Sequence, residues 1–304
     1  MALLIARLDL DRAAALMFGA SLPVITATLV ALSAANLVVA LRWHLILSAV
    51  EPSPGPGALL KLVFVGLFFN QVLPTGIGGD AVRAWRCTKL GIALGPAIRS
   101  ILLDRATGYL VLVAVYGAAL PSLLRVLPQA SERISVAIVF GVALLALIVL
   151  VSLDRMPRIM LQFRFIEPLI ALARESRRLL MRPRRCSAIM SLSLLSIGCL
   201  IFAFKFAADS VHSHVSPVTW LMVVPPVTLI QLVPVSLAGW GVREAALVVA
   251  LGAFGVPAEA ALATSVMMGL CSILSGLPGG LIWLCDWDIS PVRLTPIDNA
   301  AERR

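Results

Sequence analysis

Long apolar runs separated by short polar interruptions dominate the chain. Uncharged stretches at 13–41, 106–124, 134–153, 186–204, 210–242 and 260–285 reach or exceed the roughly 20 residues that cross a bilayer as helix. An 18-residue run at 62–79 adds a further one. None alternates with a period of two, so a transmembrane β-barrel fits poorly and helices must satisfy the backbone internally. The pattern predicts an all-α, polytopic membrane protein of seven or eight membrane segments, forming one transmembrane domain over residues 1–304.

Two of the apolar regions are broken by proline and glycine, at Asn70 to Gly79 and from Pro225-Pro226 through Gly241. Regular spanning helices avoid such breaks. The two regions also resemble each other: Gln71, Pro74, Gly79 and Arg83 recur 160 residues later as Gln231, Pro234, Gly239 and Arg243, in a chain with only four glutamines. This predicts an internal repeat with halves at about 16–153 and 187–285, each holding one broken or re-entrant helix. Duplicated, interrupted helices point to a transporter-like site near the middle of the membrane. The repeat is parallel if each broken segment crosses the membrane and inverted if it re-enters; the sequence leaves both open.

Charge refines the topology. The net charge of +9 is concentrated in 154–186, where nine arginines face three acids. Between two spans, such a loop reads as cytoplasmic rather than as a nucleic-acid surface. Within it Met156, Ile159, Phe163, Ile166, Ile170 and Ala173 recur at helical spacing, which predicts a helix on the membrane surface interrupted near Pro168. Counting spans from this loop puts 125–133 and 209–219 outside, the segment from Arg83 to Arg105 inside, and the turn Glu51 to Gly57 outside. Residues 286–304 form a polar tail. No cleavable signal peptide is evident, because charges at Arg7, Asp9, Asp11 and Arg12 leave only Met1 to Ala6 as an apolar start.

The candidate chemistry sits at the two breaks. Asn70 and Gln71 precede a turn in which Gly78 and Gly79 bare the backbone and open a second helix. Free N–H groups at a helix start attract anions, and Arg83, one turn beyond Asp80, adds a fork of donors suited to phosphate. Gln231, Gly239, Arg243 and Glu244 occupy the second break, and Asp104-Arg105 stands at the entry to the 106–124 span. An unpaired charge at mid-bilayer costs about 2.5–3.5 kcal/mol on insertion scales, so these side chains must face a cavity or one another. They are therefore either substrate contacts or salt bridges locking helices.

Other motifs carry less. Gly76-x-Gly78-x-x-Ala81 lacks the strand and βαβ context of a dinucleotide site, and no P-loop is present. His212-x-His214 has no carboxylate cluster beside it, and Asp286-Trp-Asp288 sits with Trp283 and Trp287 in what reads as an interfacial belt. Five cysteines without C-x-x-C spacing read as packing residues, and Gly276-x-x-x-Gly280 as a close helix contact. No cofactor and no metal are expected.

Taken together, Asn70-x-x-Leu-Pro74, Gly78-Gly79-Asp80-x-x-Arg83, Asp104-Arg105-x-x-Gly108, Pro234 and Gly239-x-Gly241-x-Arg243-Glu244 resemble the flippase-like transmembrane domain of lysylphosphatidylglycerol synthases. The likeness runs from about Arg42 to Trp283. It implies an integral protein of the bacterial or archaeal inner membrane that moves a lipid between leaflets, with Asp80, Arg83, Asp104, Arg105, Arg243 and Glu244 as the polar site. Its partners would be membrane lipids with an anionic or zwitterionic headgroup. Only Met1 to Ala6 remains of the span that usually comes first in the family, and the soluble aminoacyl-transferring domain of the synthases is not seen in the chain. The alternatives are a membrane-embedded transferase acting on a polyprenyl lipid and a non-transporting partner of an envelope enzyme.

Overall fold

The computed structural model describes residues 10–73, 78–152, 172, 175–176, 181–231 and 239–285. The described residues are helical apart from turns and short connections, and hold no strand. In chain order the helices are α1 (Leu10–Phe18), α2 (Leu22–Val50), α3 (Pro56–Val72), α4 (Gly78–Lys89), α5 (Leu94–Val126), α6 (Ala130–Ser152), α7 (Pro183–Ser210), α8 (Pro217–Gln231), α9 (Val242–Gly252) and α10 (Ala258–Cys285).

Five of them, α2, α5, α6, α7 and α10, are long and apolar enough to cross a membrane; α3 and α8 are apolar but only 17 and 15 residues long. The stretch 13–41, expected as a single span, is split by the turn at Gly19–Ser21, and Pro23 in the first turn of α2 starts a new helix there. That helix runs on through Arg42 to Val50. A charge inside such a helix is tolerated only with a partner, and Arg42 has one.

The run 62–79 does not form one continuous helix. α3 ends at Val72, and α4 folds back along it. Leu59, Leu62 and Val63 of α3 pack with Ala84 and Cys87 of α4, with Leu90 and Ile92 just beyond, with Ala97 and Ile101 of α5, and with Ala40, Trp43 and Leu47 of α2. The start of α3 and the end of α4 therefore lie at the same level, so the pair is a hairpin. Glycine permits its tight crossing: a Cβ on Gly79 would stand 2.0 Å from the Gly66 carbonyl oxygen.

α8 and α9 form a second pair, with Met222, Pro226, Val249 and Ala253 lining one cavity together with Leu123 and Leu127 of α5's end and Val136 of α6's start. The base of this pair thus faces the end of the bundle opposite the base of the first.

α2 and α7 run antiparallel through the centre, with Arg42 against Ser193 and Ile46 against Ile189. Ile46 and Val50 at the end of α2 also share a cluster with Leu150 of α6, Leu172 and Ile189. The turn at Glu51–Gly57 consequently lies at the same end of the bundle as the arginine-rich segment, and Arg99 of α5 reaches Glu175 of that segment at 2.9 Å. Its expected placement on the opposite face is corrected: counting 62–79 as a full crossing reversed the sign of everything before it.

α10 seals the first hairpin. Its Gly276, Gly279 and Gly280 meet Phe64 and Phe68 of α3, and a Cβ on Gly279 would fall 1.9 Å from the Phe64 carbonyl oxygen. Small residues let two backbones approach within the contact range that lipid-facing helices need. Apart from Leu172, the helix expected over 156–173 lies outside the described residues, as do Pro74, Gly76, Pro234 and Asp286-Trp-Asp288.

Candidate functional site

The first hairpin gathers charge at its turn. The Asn70 side-chain carbonyl accepts the backbone N–H of Gly79 at 2.9 Å, tying the end of α3 to the start of α4, whereas Gln71 is partly buried beside it. Gly78 and Gly79 are buried against Leu73 and Gly66. One turn on, Arg83 runs its stem across Gly66, where a Cβ would stand 2.6 Å from the arginine Cδ. Its guanidinium stacks over the Trp43 ring at 4.1 Å, an attraction that strengthens out of water.

Asp80 sits between two arginines. Its Oδ1 accepts Arg83 Nη1 at 3.1 Å, and its Oδ2 accepts both Nε and Nη2 of Arg105 at 2.8 Å. Arg83 is 6% exposed, whereas the Arg105 side chain is 47% exposed. Arg105 thus forms a rim with Arg83 behind it. Nε and Nη2 of Arg83 are buried and have no hydrogen-bond partner among the described residues. A buried donor left unmade costs about 1–3 kcal/mol, more when charged, so the fold carries a cost at this turn.

Asp104, adjacent to Arg105 in sequence, points elsewhere. It takes Arg42 Nε at 2.7 Å in a pair 7% and 4% exposed, and Arg42 Nη1 also donates to Ser193 of α7 at 3.1 Å. Gly108 makes room, since a Cβ there would meet Arg42 Nη1 at 3.0 Å. This pair joins α2, α5 and α7 and closes on itself.

The second hairpin builds a parallel but neutral cluster. Gly239 and Gly241 adopt positive φ of 81° and 83°, a backbone conformation that glycine takes without strain. A Cβ on Gly239 would lie 3.0 Å from Gln231 Oε1. Gly241 opens α9, and its N–H donates to the Glu244 carboxylate, the reach-back of a capping residue three positions on. Arg243 Nη2 donates to Glu244 Oε1 at 3.0 Å, Arg243 Nε donates to Ser265 Oγ at 3.1 Å, and that hydroxyl donates to Glu244 Oε1 at 2.9 Å. The triangle rests on Gly269, where a Cβ would fall 2.4 Å from Arg243 Nη2.

The structure therefore gathers Asn70, Gly78, Gly79, Asp80, Arg83 and Arg105 around one turn, and Gln231, Gly239, Arg243 and Glu244 around the other. Asp104 is drawn away to Arg42. Sequence reading missed Arg42, Trp43, Ser193 and Ser265 as members of these clusters. For Arg42 the signal existed, a lone arginine at the edge of an apolar run; a serine such as Ser265 carries no such mark. Among the described residues no group of three or more histidine, cysteine or acidic side chains is placed to hold a metal ion.

Apolar helices long enough to span a bilayer, two folded-back helix pairs and buried ion pairs at their turns define a multi-pass α-helical membrane protein. Residues 1–280 match the family model of the lysylphosphatidylglycerol synthase TM region. The chain belongs to that family. It is also 26% identical over 270 residues to a UPF0104 membrane protein of Methanothermobacter thermautotrophicus, covering 80% of this chain and 77% of the relative. No solved structure matches.

Proposed function

We propose that this protein carries a phospholipid between the leaflets of the cell's cytoplasmic membrane, with the lipid headgroup received at the hairpin turns. The single observation that carries the reading is Arg83, a buried arginine with two donor nitrogens, Nε and Nη2, left without a partner at a glycine-opened helix start. Such a group in an apolar protein is suited to a phosphate oxygen that arrives and leaves.

The arrangement of helices supports it. α7, α8, α9 and α10 each begin 161 to 164 residues after α2, α3, α4 and α5. Arg83 and Arg243 are 160 apart, and so are Arg105 and Ser265, the residues that complete the two clusters from the following long helix. The hairpins have their bases at opposite ends of the bundle, and α2 and α7 cross antiparallel at its centre. In this reading the halves are an inverted repeat of 22–126 and 183–285, with the hairpins re-entering from opposite sides. Inverted repeats with interrupted helices suit alternating access around a central site. By the positive-inside rule the first hairpin opens to the cytoplasm, beside the arginine-rich segment.

The test is leaflet exchange of a headgroup-labelled phospholipid in vesicles holding the purified protein. Arg83→Ala is expected to lower the rate at least tenfold, and Arg243→Ala to lower it as the second hairpin loses its lock. Undiminished exchange in Arg83→Ala would remove this arginine from the mechanism.

A further inference from the structure

We infer that the cavity between α5, α6, α8 and α9, behind the second hairpin, holds a single hydrocarbon chain of a membrane lipid, and that its mouth rejects an anionic chain end. The inference goes beyond the lipid-carrier reading and stands without it.

The cavity measures about 520 Å³, within the roughly 300–1,000 Å³ common for ligand sites. Its walls are apolar side chains of the four helices, and beside Tyr116 the only polar ones are Ser131, Glu132 and Ser135, on the first two turns of α6. The Tyr116 hydroxyl donates to the Val136 carbonyl oxygen at 2.9 Å and asks nothing of an occupant. A space this apolar stays dry, and left empty it forfeits contacts for every side chain around it. In a bilayer the molecule at hand to fill it is a lipid chain.

The equivalent place in the first half is filled by the protein itself. Ala245, Ala246 and Val249 of α9 and Leu123 of α5 line the cavity, and 160 residues away stand Trp85, Arg86 and Lys89 of α4 and Trp283 of α10. Those four stack together: the Arg86 guanidinium lies 4.3 Å from the Trp283 ring and 5.8 Å from the Trp85 ring, and Lys89 Nζ lies 5.6 Å from Trp85. The cavity that borders Trp283 is lined by residues of α3 and α10 alone. Two alanines, a valine and a leucine thus leave hollow in one half what rings and long cations occupy in the other. Loose packing of α9 is not the cause, since Leu247 and Leu251 on the same helix are fully buried. A chain lodged in the hollow braces the back of the helix that carries Arg243 and Glu244.

The mouth sets which chain end is accepted. Glu132 Oε2 accepts the Gln129 N–H at 3.4 Å and is in no ion pair among the described residues. Neighbouring Arg133 donates instead to the Leu127 carbonyl oxygen at 2.8 Å. A carboxylate with no cation beside it repels an anionic group in a setting of low dielectric.

The experiment is photolabelling of the full-length protein in phosphatidylcholine nanodiscs with hexadecanol and hexadecyl sulfate, each bearing a diazirine at the far end of the chain, mapped by peptide mass spectrometry. Labelling is counted relative to the lipid-facing side of α7 at Phe202. Hexadecanol is expected to label α8, α9 and the end of α5 saturably. Ala245→Trp, which copies Trp85 into the cavity, should lower that labelling at least fivefold. Excess hexadecanol without the diazirine should do the same to wild type, and it carries the test if Ala245→Trp does not fold. Hexadecyl sulfate should label the cavity at least fivefold less than hexadecanol, and Glu132→Gln should bring the two probes level.

Labelling of the cavity helices that rises without saturation, in step with the Phe202 side, would make the occupant ordinary surrounding lipid and overturn the inference. Equal labelling of Ala245→Trp and wild type overturns it too, as does equal labelling of wild type by the two probes.

Discussion

Arg83 combines four constraints that rarely meet in one side chain: burial, a cation–π contact with Trp43, a single carboxylate hydrogen bond and two donors without partners. Asp80, Arg83 and Arg105 were legible in the sequence because charges beside apolar runs stand out. The separation of Asp104 from Arg105 was not, because adjacent residues on a helix point about 100° apart and only packing decides which neighbour each finds. Arg42 and Asp104 are fully enclosed, so Arg42→Met should destabilise the protein by about 3–5 kcal/mol through the abandoned carboxylate. The double substitution Arg42→Met with Asp104→Leu should recover most of that loss; thermal unfolding in detergent measures both. If the double variant is as unstable as the single one, the pair contributes more than charge compensation.

Among the elements, the five long helices follow from uninterrupted apolar runs, and the broken ones from Pro and Gly. Fold-back was hidden, because an 18-residue apolar run has the same composition whether it crosses a bilayer or turns halfway. What decides it is tertiary: the approach of Gly79 to Gly66 and of Gly279 to Phe64. Gly79→Ala should therefore cost at least the 1–3 kcal/mol typical of overpacking, read as a lowered unfolding temperature. An unchanged temperature would mean that the crossing is looser than described. The re-entry proposed for this hairpin also sets sidedness. In a cysteine-free background, Ser53→Cys should react with a membrane-impermeant thiol reagent from the same side as Ser187→Cys, and Ser131→Cys from the other. Labelling of Ser53→Cys from the side of Ser131→Cys would restore a full crossing between α2 and α5.

For the whole molecule, the clusters matter through the inverted repeat proposed above, in which the two halves face each other. The 160-residue spacing was visible in four short matches. The matching starts of four helix pairs and the Arg105 and Ser265 positions, on which the proposed repeat rests, emerge only when the helix bounds and side-chain partners are known. The central claim is that Arg83 holds a phospholipid headgroup, and native mass spectrometry of the purified protein reads it directly. Wild type should carry about one phospholipid per chain into the gas phase, and folded Arg83→Ala should lose it. An identical lipid complement on the two proteins would contradict the account.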